Sequence, residues 1–240
     1  MKTIKVRGLV LREFEAGESD KRLIIFCKGQ GRLMVYARGA RKPSSKFMAA
    51  AQLFTYADFV LAKGQGFYSL TQAEVIQNFY TLRQDYDRLM AAHLIAEVCE
   101  KTLWDSIESD SLLLLALKSL DSLAKGKVLP LQTSSVFLMR FFDVYGLRPQ
   151  IDACVICNTP AHEIARKVLC AEGIVCEAHK PTVSHRLSDT VVYALGHIWD
   201  NNLTGAFMFT ATPEVLTDLR NAAHFLWRCH FEWELKSEKI

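Results

Sequence analysis

Cys154 and Cys157 are two residues apart, Cys176 and His179 are two residues apart, and 18 residues lie between the pairs. Three thiolates and an imidazole in that pattern outline a tetrahedral metal site. Each pair occupies a tight turn that aims two donors at one ion, and roughly 15 to 20 residues is the usual separation of two such knuckles. Zinc suits this donor set. Cys170 lies between the pairs as an alternative to His179 for the fourth position, and His162 is a more remote candidate with no paired neighbour. Four protein ligands leave no open position for a substrate, so the ion would hold its segment together and would not catalyse. The other three cysteines, Cys27, Cys99 and Cys229, sit singly in apolar stretches and read as small buried hydrophobes. An odd number of cysteines in a chain without an export signal argues against a disulfide framework.

A second constellation lies near the N-terminus. Residues 1–80 carry 13 Lys and Arg against 6 Asp and Glu, net +7, while the remaining residues carry 16 against 20, net −4. Between Asp20 and Asp58 there is no acidic residue, yet Lys21, Arg22, Lys28, Arg32, Arg38, Arg41, Lys42 and Lys46 all fall there. In "RLMVYAR", strand alternation puts Arg32, Met34, Tyr36 and Arg38 on one face and Leu33, Val35 and Ala37 on the other. An aromatic ring between guanidinium groups on an exposed face suits single-stranded nucleic acid, because bases stack on π surfaces while cations neutralise phosphates. Arg41, Lys42 and Lys46 extend the positive track along the following loop, and Lys21 and Arg22 add to it.

Other chemistries lack their motifs. There is no G-x-x-x-x-G-K-[ST] loop, and neither "GQG" opens a helix. Glu97 and Glu100 read as the solvated side of a helix rather than an acid–base pair. His93, His197, His224 and His230 read as structural helix residues, and the pairs Ser44–Ser45 and Ser134–Ser135 have no neighbouring histidine motif that would make a nucleophile. A binding protein is favoured over an enzyme.

The elements that must position these residues divide into strands and then helices. "VRGLVLREF", "KRLIIFCK", "RLMVYARGA", "AQLFTYADFVLAK" and "FYSLTQAEVI" predict five strands joined by Gly-rich turns. Five short antiparallel strands in about 80 residues suit a small barrel, since closure removes exposed edges, and an oligonucleotide-binding (OB) barrel leads over an SH3-like one. From residue 83 the period becomes 3.6. Helices are expected in "LRQDYDRLMAAHLIAEVCEKTLWD", with an apolar stripe of Leu94, Ile95, Val98, Leu103 and Trp104, in "SDSLLLLALKSLDSLAKG" and in "PLQTSSVFLMRFFDVYG". After an irregular stretch over 147–186 they resume in "LSDTVVYALGHIWDN" and "TPEVLTDLRNAAHFLWRCHFEWEL", and the last seven residues or so read as frayed. The expected organisation is therefore α+β: an OB-fold barrel over 1–80, then a helical bundle over 81–240 with a zinc-binding insert at about 150–182. No apolar run reaches the ~18 residues that span a bilayer, so a cytoplasmic, nucleoid-associated protein without a membrane partner is expected.

The run "GESDKRLIIFCKGQGRLMVYARGARKPSSKFMAAAQLFTYADFVL", followed by "GFYSLTQAEVI", a helical region and a late C-x2-C with a second knuckle, resembles the RecO family of bacterial recombination mediators. "A-R-G-A-R-K" matches that family's basic signature after the third strand. The resemblance implies an OB barrel joined to a helical domain that often carries a four-cysteine zinc module, whose last cysteine is here replaced by His179. It also implies a non-enzymatic role in repair: binding single- and double-stranded DNA, annealing complementary strands and, with RecR, helping RecA replace single-strand-binding protein. The acidic, apolar C-terminal tail of single-strand-binding protein would dock on the helical domain. Two alternatives come from other classes. One is a zinc-dependent nucleic-acid hydrolase or deaminase, which needs an open metal position and an acid such as Glu163, Glu172 or Glu177. The other is a regulator that binds duplex DNA sequence-specifically through its helices.

Overall fold

β1 (Thr3–Ala16), β2 (Asp20–Cys27), β3 (Gly31–Ala37), β4 (Tyr56–Lys63) and β5 (Tyr68–Gln77) close into a barrel in the order β1-β2-β3-β5-β4 in the computed structural model of the chain, which describes residues 2–64, 66–103 and 109–238. All neighbours are antiparallel except β3 and β5, which meet in parallel over Val35↔Tyr68 and Tyr36↔Ser69. Alternation does what the sequence suggests. Leu23 and Ile25 of β2, Leu33 and Val35 of β3, and Phe59 and Leu61 of β4 fill the interior, while the residues between them face outward. The expected OB-fold barrel followed by helices is thus the observed architecture.

One strand starts later than expected. The sequence predicts a strand through "AQLFTYADFVLAK", Ala51–Lys63, but β4 begins at Tyr56. Phe47, Ala50 and Ala51 recur at helical intervals, and the Ala51 N–H donates to the Phe47 carbonyl at 2.8 Å. Together they pack a turn against the barrel core. Phe54, fully buried with φ 63, then swings the chain into the strand.

Two helices continue the barrel's compact unit, α1 (Tyr86–Thr102) and α2 (Asp110–Lys125). Asp85 caps α1 by accepting the Arg88 N–H at 2.9 Å. The apolar stripe expected in this helix holds for Leu94, Ile95 and Val98, all buried, with buried Leu103 at the C-cap; Trp104 lies outside the described residues. Glu97 and Glu100 are not the solvated side of α1: their side chains are only 13% and 16% exposed. Glu97 instead accepts the backbone N–H groups of Lys236 and Ser237 at 3.0 and 2.9 Å and the Ser237 hydroxyl at 2.7 Å. A short 3-10 turn at the C-terminal end, expected to fray, is thereby anchored on α1.

The second compact unit is Lys125–Leu235. It holds α3 (Pro130–Val144), α4 (Asp189–Asp200) and α5 (Pro213–His230). Pro130 and Pro213 open their helices, where a missing N–H costs nothing, and Ser188 and Thr212 cap α4 and α5. Phe137, Phe141, Phe142 and Trp227 form the buried aromatic centre, with Phe141 and Trp227 ring centroids 5.4 Å apart. Within the stretch expected to be irregular lie three short strands, β6 (Lys167–Leu169), β7 (Ile174–Cys176) and β8 (His185–Leu187), in the order β7-β6-β8. Buried Lys167 donates to the Ile164 carbonyl at 2.8 Å and pairs with Asp189 at 2.6 Å, which ties this sheet to the start of α4. No described helix is long and apolar enough to cross a membrane.

Two outcomes follow. A Cβ at Gly8 of β1 would lie 2.7 Å from both the Ile25 methyl and the Phe26 carbonyl, so Gly8→Ala should lower barrel stability by about 1–3 kcal/mol in urea unfolding. Burial works to raise the Glu97 carboxyl, but hydrogen bonds from Lys101, Lys236 and Ser237 outweigh it and hold the group at about 2. Because this lies below the unfolded value, the anchor is complete above about pH 5 and is lost as pH falls toward 2. Amide exchange at Ser237 should rise over that window, and Glu97→Ala should raise it at neutral pH.

Candidate nucleic-acid interface and metal centre

The outer surface of β1, β2 and β3 carries a row built by register. Phe14 pairs with Arg22, and Arg22 pairs with Tyr36. Strands lie roughly 4.8 Å apart, so the three side chains stand shoulder to shoulder over about 10 Å. The parallel β3–β5 contact brings a further ring: Phe67, 46% exposed, has its centroid 6.3 Å from that of Tyr36. Arg12 lies over Phe14 at 4.7 Å. Arg38 follows on the same side as β3 ends, close enough to Asp20 to help hold that carboxyl down. Arg22, Arg38 and Lys42 are exposed and make no salt bridge among the described residues. Lys46, also exposed, rests its ammonium 4.9 Å over the Phe47 ring.

The other three expected cations are committed within the protein. Lys21 has the inward parity of Leu23; it pairs with Glu13 and donates to the Ala51 carbonyl at 3.2 Å. Arg32 reaches the Glu100 carbonyl of α1 at 3.3 Å, four residues and about 13 Å along β3 from Tyr36. Arg41 folds back on the β1–β2 turn, pairing with Glu15 at 2.9 Å and donating to the Gly17 carbonyl at 3.1 Å. The structure therefore gathers Arg22, Tyr36 and Arg38, places Lys42 and Lys46 on the adjoining loop, and turns Lys21, Arg32 and Arg41 to internal partners. The sequence reading missed Phe14 and Phe67. Phe14 could have been found by counting back from the turn, but Phe67 meets Tyr36 only through barrel closure. A separate groove of about 700 Å³, lined by Lys5, Arg7, Lys28, Asp58 and Glu74 among others, gathers none of these residues, and its Arg7 is held bidentately by Asp58.

The candidate metal centre is built in the second unit. Cys154 and Cys157 stand on one turn, closed by the Asn158 N–H donating to the Cys154 carbonyl at 2.9 Å with Asn158 in the left-handed region, φ 58. Cys176 ends β7, and the 3-10 turn Glu177–His179 brings the imidazole round. The two knuckles are held together by backbone. The Val155 N–H donates to the Ile174 carbonyl at 3.0 Å, and Gly173 bridges Gln150 so closely that a Cβ there would lie 2.3 Å from the Gln150 carbonyl. The four donor atoms all lie within 4.8 Å of one another. Cys154 Sγ is 3.9 Å from His179 Nδ1, Cys157 Sγ is 3.9 Å from Cys176 Sγ, and Cys176 Sγ is 3.1 Å from His179 Nδ1. Ligand bonds of about 2.3 Å to sulfur and 2.1 Å to nitrogen give tetrahedral edges of roughly 3.6–3.8 Å, so this cluster can hold a metal ion with small adjustments.

Electrostatics favour a thiolate at Cys154. Burial pushes the Cys154 thiol up, but the N–H groups of Cys157, Ile156 and Cys176 overcome it and leave the group at about 6. Cys170 stands apart: burial pushes its thiol up, and it donates to the Gly173 carbonyl at 3.1 Å, so His179 and not Cys170 completes the cluster. His162 is exposed and meets Glu163 at 3.7 Å, outside the donor set.

Comparison with known proteins places both halves of the chain. Residues 1–79 match the family model "Recombination protein O N terminal" and residues 83–239 match "Recombination protein O C terminal". The DNA repair protein RecO of Acetivibrio thermocellus is 30% identical over 221 residues, covering 91% of this chain and 88% of its own length. That of Alkaliphilus metalliredigens is 32% identical over 173 residues, covering 72% and 70%, and that of Halalkalibacterium halodurans is 27% identical over 238 residues, covering 98% and 93%.

The ligand geometry predicts a clean division among the cysteines of the insert. Elemental analysis of purified Cys176→Ser should show loss of bound metal together with a lower melting temperature, whereas Cys170→Ser should keep close to the wild-type metal content. Equal retention by both variants would contradict the four-residue cluster.

Proposed function

The chain belongs to the recombination protein O family, and on that premise we propose that it is a non-enzymatic mediator of DNA repair and homologous recombination that carries DNA on the outer face of its barrel. It binds single- and double-stranded DNA, anneals complementary strands and, with RecR, assists the loading of RecA onto DNA coated with single-strand-binding protein. It receives the tail of single-strand-binding protein and works on chromosomal DNA in the cytoplasm. The observation that carries this reading is the set Arg22, Tyr36 and Arg38, side by side on the barrel with Lys42 and Lys46 on the next loop, four cations without a salt bridge among the described residues, beside the exposed rings of Phe14 and Phe67.

Such a surface attracts phosphates through charge and bases through stacking, and neither interaction depends on base identity. Annealing and mediation need that sequence-blindness. Lys21, Arg32 and Arg41 serve the scaffold of the site, through Glu13, the Glu100 carbonyl and Glu15 respectively. In the insert, three sulfurs and one nitrogen suit zinc, and four protein donors complete its tetrahedron, which favours a structural ion over a hydrolytic one.

Reversing Arg22 and Arg38 to Glu should weaken binding of a single-stranded oligonucleotide by about two orders of magnitude at low salt and flatten the slope of log K against log salt by about 1.4, two phosphate contacts at roughly 0.7 each. Annealing of complementary strands coated with single-strand-binding protein, run without ATP, should fall in parallel while the melting curve stays close to wild type. Undiminished DNA affinity in the reversed variant would remove the barrel face from the mechanism.

A further inference from the structure

Asp20 stands on the same outer face of β2 as Arg22, among the cations offered to DNA. Counted as a charge it is a defect, since a carboxylate repels phosphate. Its hydrogen bonds give it another role. Oδ2 accepts the Tyr36 hydroxyl at 2.6 Å, and Oδ1 accepts the Gly39 N–H at 2.7 Å and the Ser19 hydroxyl at 3.2 Å. One side chain thus grips the ring in the middle of the platform and the first residues of the basic loop. Gly39 lies between Arg38 and Arg41, with φ 66, where the chain leaves β3. The next residues are stitched to the same turn, because the Arg41 N–H donates to the Ser19 carbonyl at 2.9 Å.

Resting on the reading of this face as the DNA surface, we propose that Asp20 is a positioning residue for the interface: its carboxylate holds Tyr36 and the Arg38–Lys42 segment in their DNA-binding arrangement before DNA arrives. The Gly39 N–H first, then the Tyr36 hydroxyl, keep the carboxyl below its usual range, so it is ionised at neutral pH and forms strong charge-assisted bonds. Tyr36 is half-buried, and fixing its remaining rotamer freedom in advance removes part of the entropy cost of stacking. The bond also commits the phenol proton, so Tyr36 can offer a base its ring and an acceptor oxygen but no donor.

The test turns on a sign. Charge counting predicts that Asp20→Ala, which removes a negative charge from a polyanion site, binds DNA more tightly than wild type; a positioning role predicts weaker binding. Fluorescence anisotropy with a labelled oligothymidylate should show Asp20→Ala weakened about tenfold, the scale of one or two lost charge-assisted hydrogen bonds. Tyr36→Phe, which keeps the ring and loses only the hydroxyl, should be weakened about threefold, and the double variant should bind no more weakly than Asp20→Ala alone, because both changes cut the same link. The salt slope should stay at the wild-type value, since no phosphate contact is lost. Without DNA, exchange of the Gly39 amide should quicken in Asp20→Ala and not in Tyr36→Phe. Wild-type or tighter binding by Asp20→Ala, or additive effects in the double variant, would overturn the proposal. Should Asp20→Ala fail to fold, Tyr36→Phe decides: wild-type affinity there overturns it equally. The Arg22/Arg38 reversal separates the two levels. If the reversal abolishes binding and Asp20→Ala does not weaken it, only the positioning role falls; if the reversal has no effect, the DNA surface falls and the role of Asp20 with it.

Discussion

The closure of β3 onto β5 is the constraint from which the N-terminal half follows. It is a short seam, two parallel residue pairs at Val35↔Tyr68 and Tyr36↔Ser69, against long antiparallel ladders everywhere else. It removes the exposed edges that five strands would otherwise present, and it turns the apolar side of every strand toward one interior. The same seam makes the surface. Only because the head of β5 arrives beside Tyr36 does Phe67, thirty-one residues from its ring partner, come to stand next to it. A residue pair that completes a core on one face of the sheet completes an aromatic platform on the other.

Charge on this barrel is distributed by partner and not by sequence density. Eight cations fall between Asp20 and Asp58, yet their roles divide according to which neighbour the register supplies. Lys21 faces inward with the parity of the core residues and could not remain there without Glu13 and a carbonyl to receive its protons. Arg41 lies over the β1–β2 turn, where Glu15 and the Gly17 carbonyl take its guanidinium. Among the described residues Arg22, Arg38, Lys42 and Lys46 are exposed without a salt bridge on or next to the Tyr36 face, while Lys28, also exposed, lines a separate groove, so the set offered to a polyanion is smaller than the sequence suggests.

Much of this was legible beforehand. Period-two alternation located five strands, and helical periods with Pro130, Gly126 and Gly146 at helix ends located the helices, because these signals are local. The clustering of Cys154, Cys157, Cys176 and His179 was legible because each knuckle encodes its own turn and the spacing limits how the two can meet. The failures share a cause: partners distant in sequence. Nothing near Glu97 announces that Lys236 and Ser237 will dock on it, 139 and 140 residues away. The segment before β4 reads as strand because its alanines suit either period, and only the barrel interior decides between them. Strands of three residues, such as β6 to β8, are too short to show any period at all.

The insert that carries the four-donor cluster and the barrel face solve opposite problems with related means. Three three-residue strands bury little apolar surface, so buried Lys167 with Asp189 and the close Gly173–Gln150 contact fix the segment, and a metal ion on the four-donor cluster would add to them. The barrel has ample core and needs no such help; there the polar groups fix side chains instead of backbone. Asp20 holds Tyr36 much as second-layer carboxylates hold the imidazoles of metal sites, by accepting a hydrogen bond from the far end of the group to be aimed. The consequence reaches recognition. A free phenol would offer base edges a donor and an acceptor and so prefer some bases to others, whereas a phenol already donating to Asp20 has lost its donor and keeps its ring and one acceptor oxygen. With guanidinium and ammonium groups for the phosphates and fixed aromatic faces for the bases, the proposed surface has little with which to read sequence. Indifference to base order is what a protein that anneals any complementary pair requires.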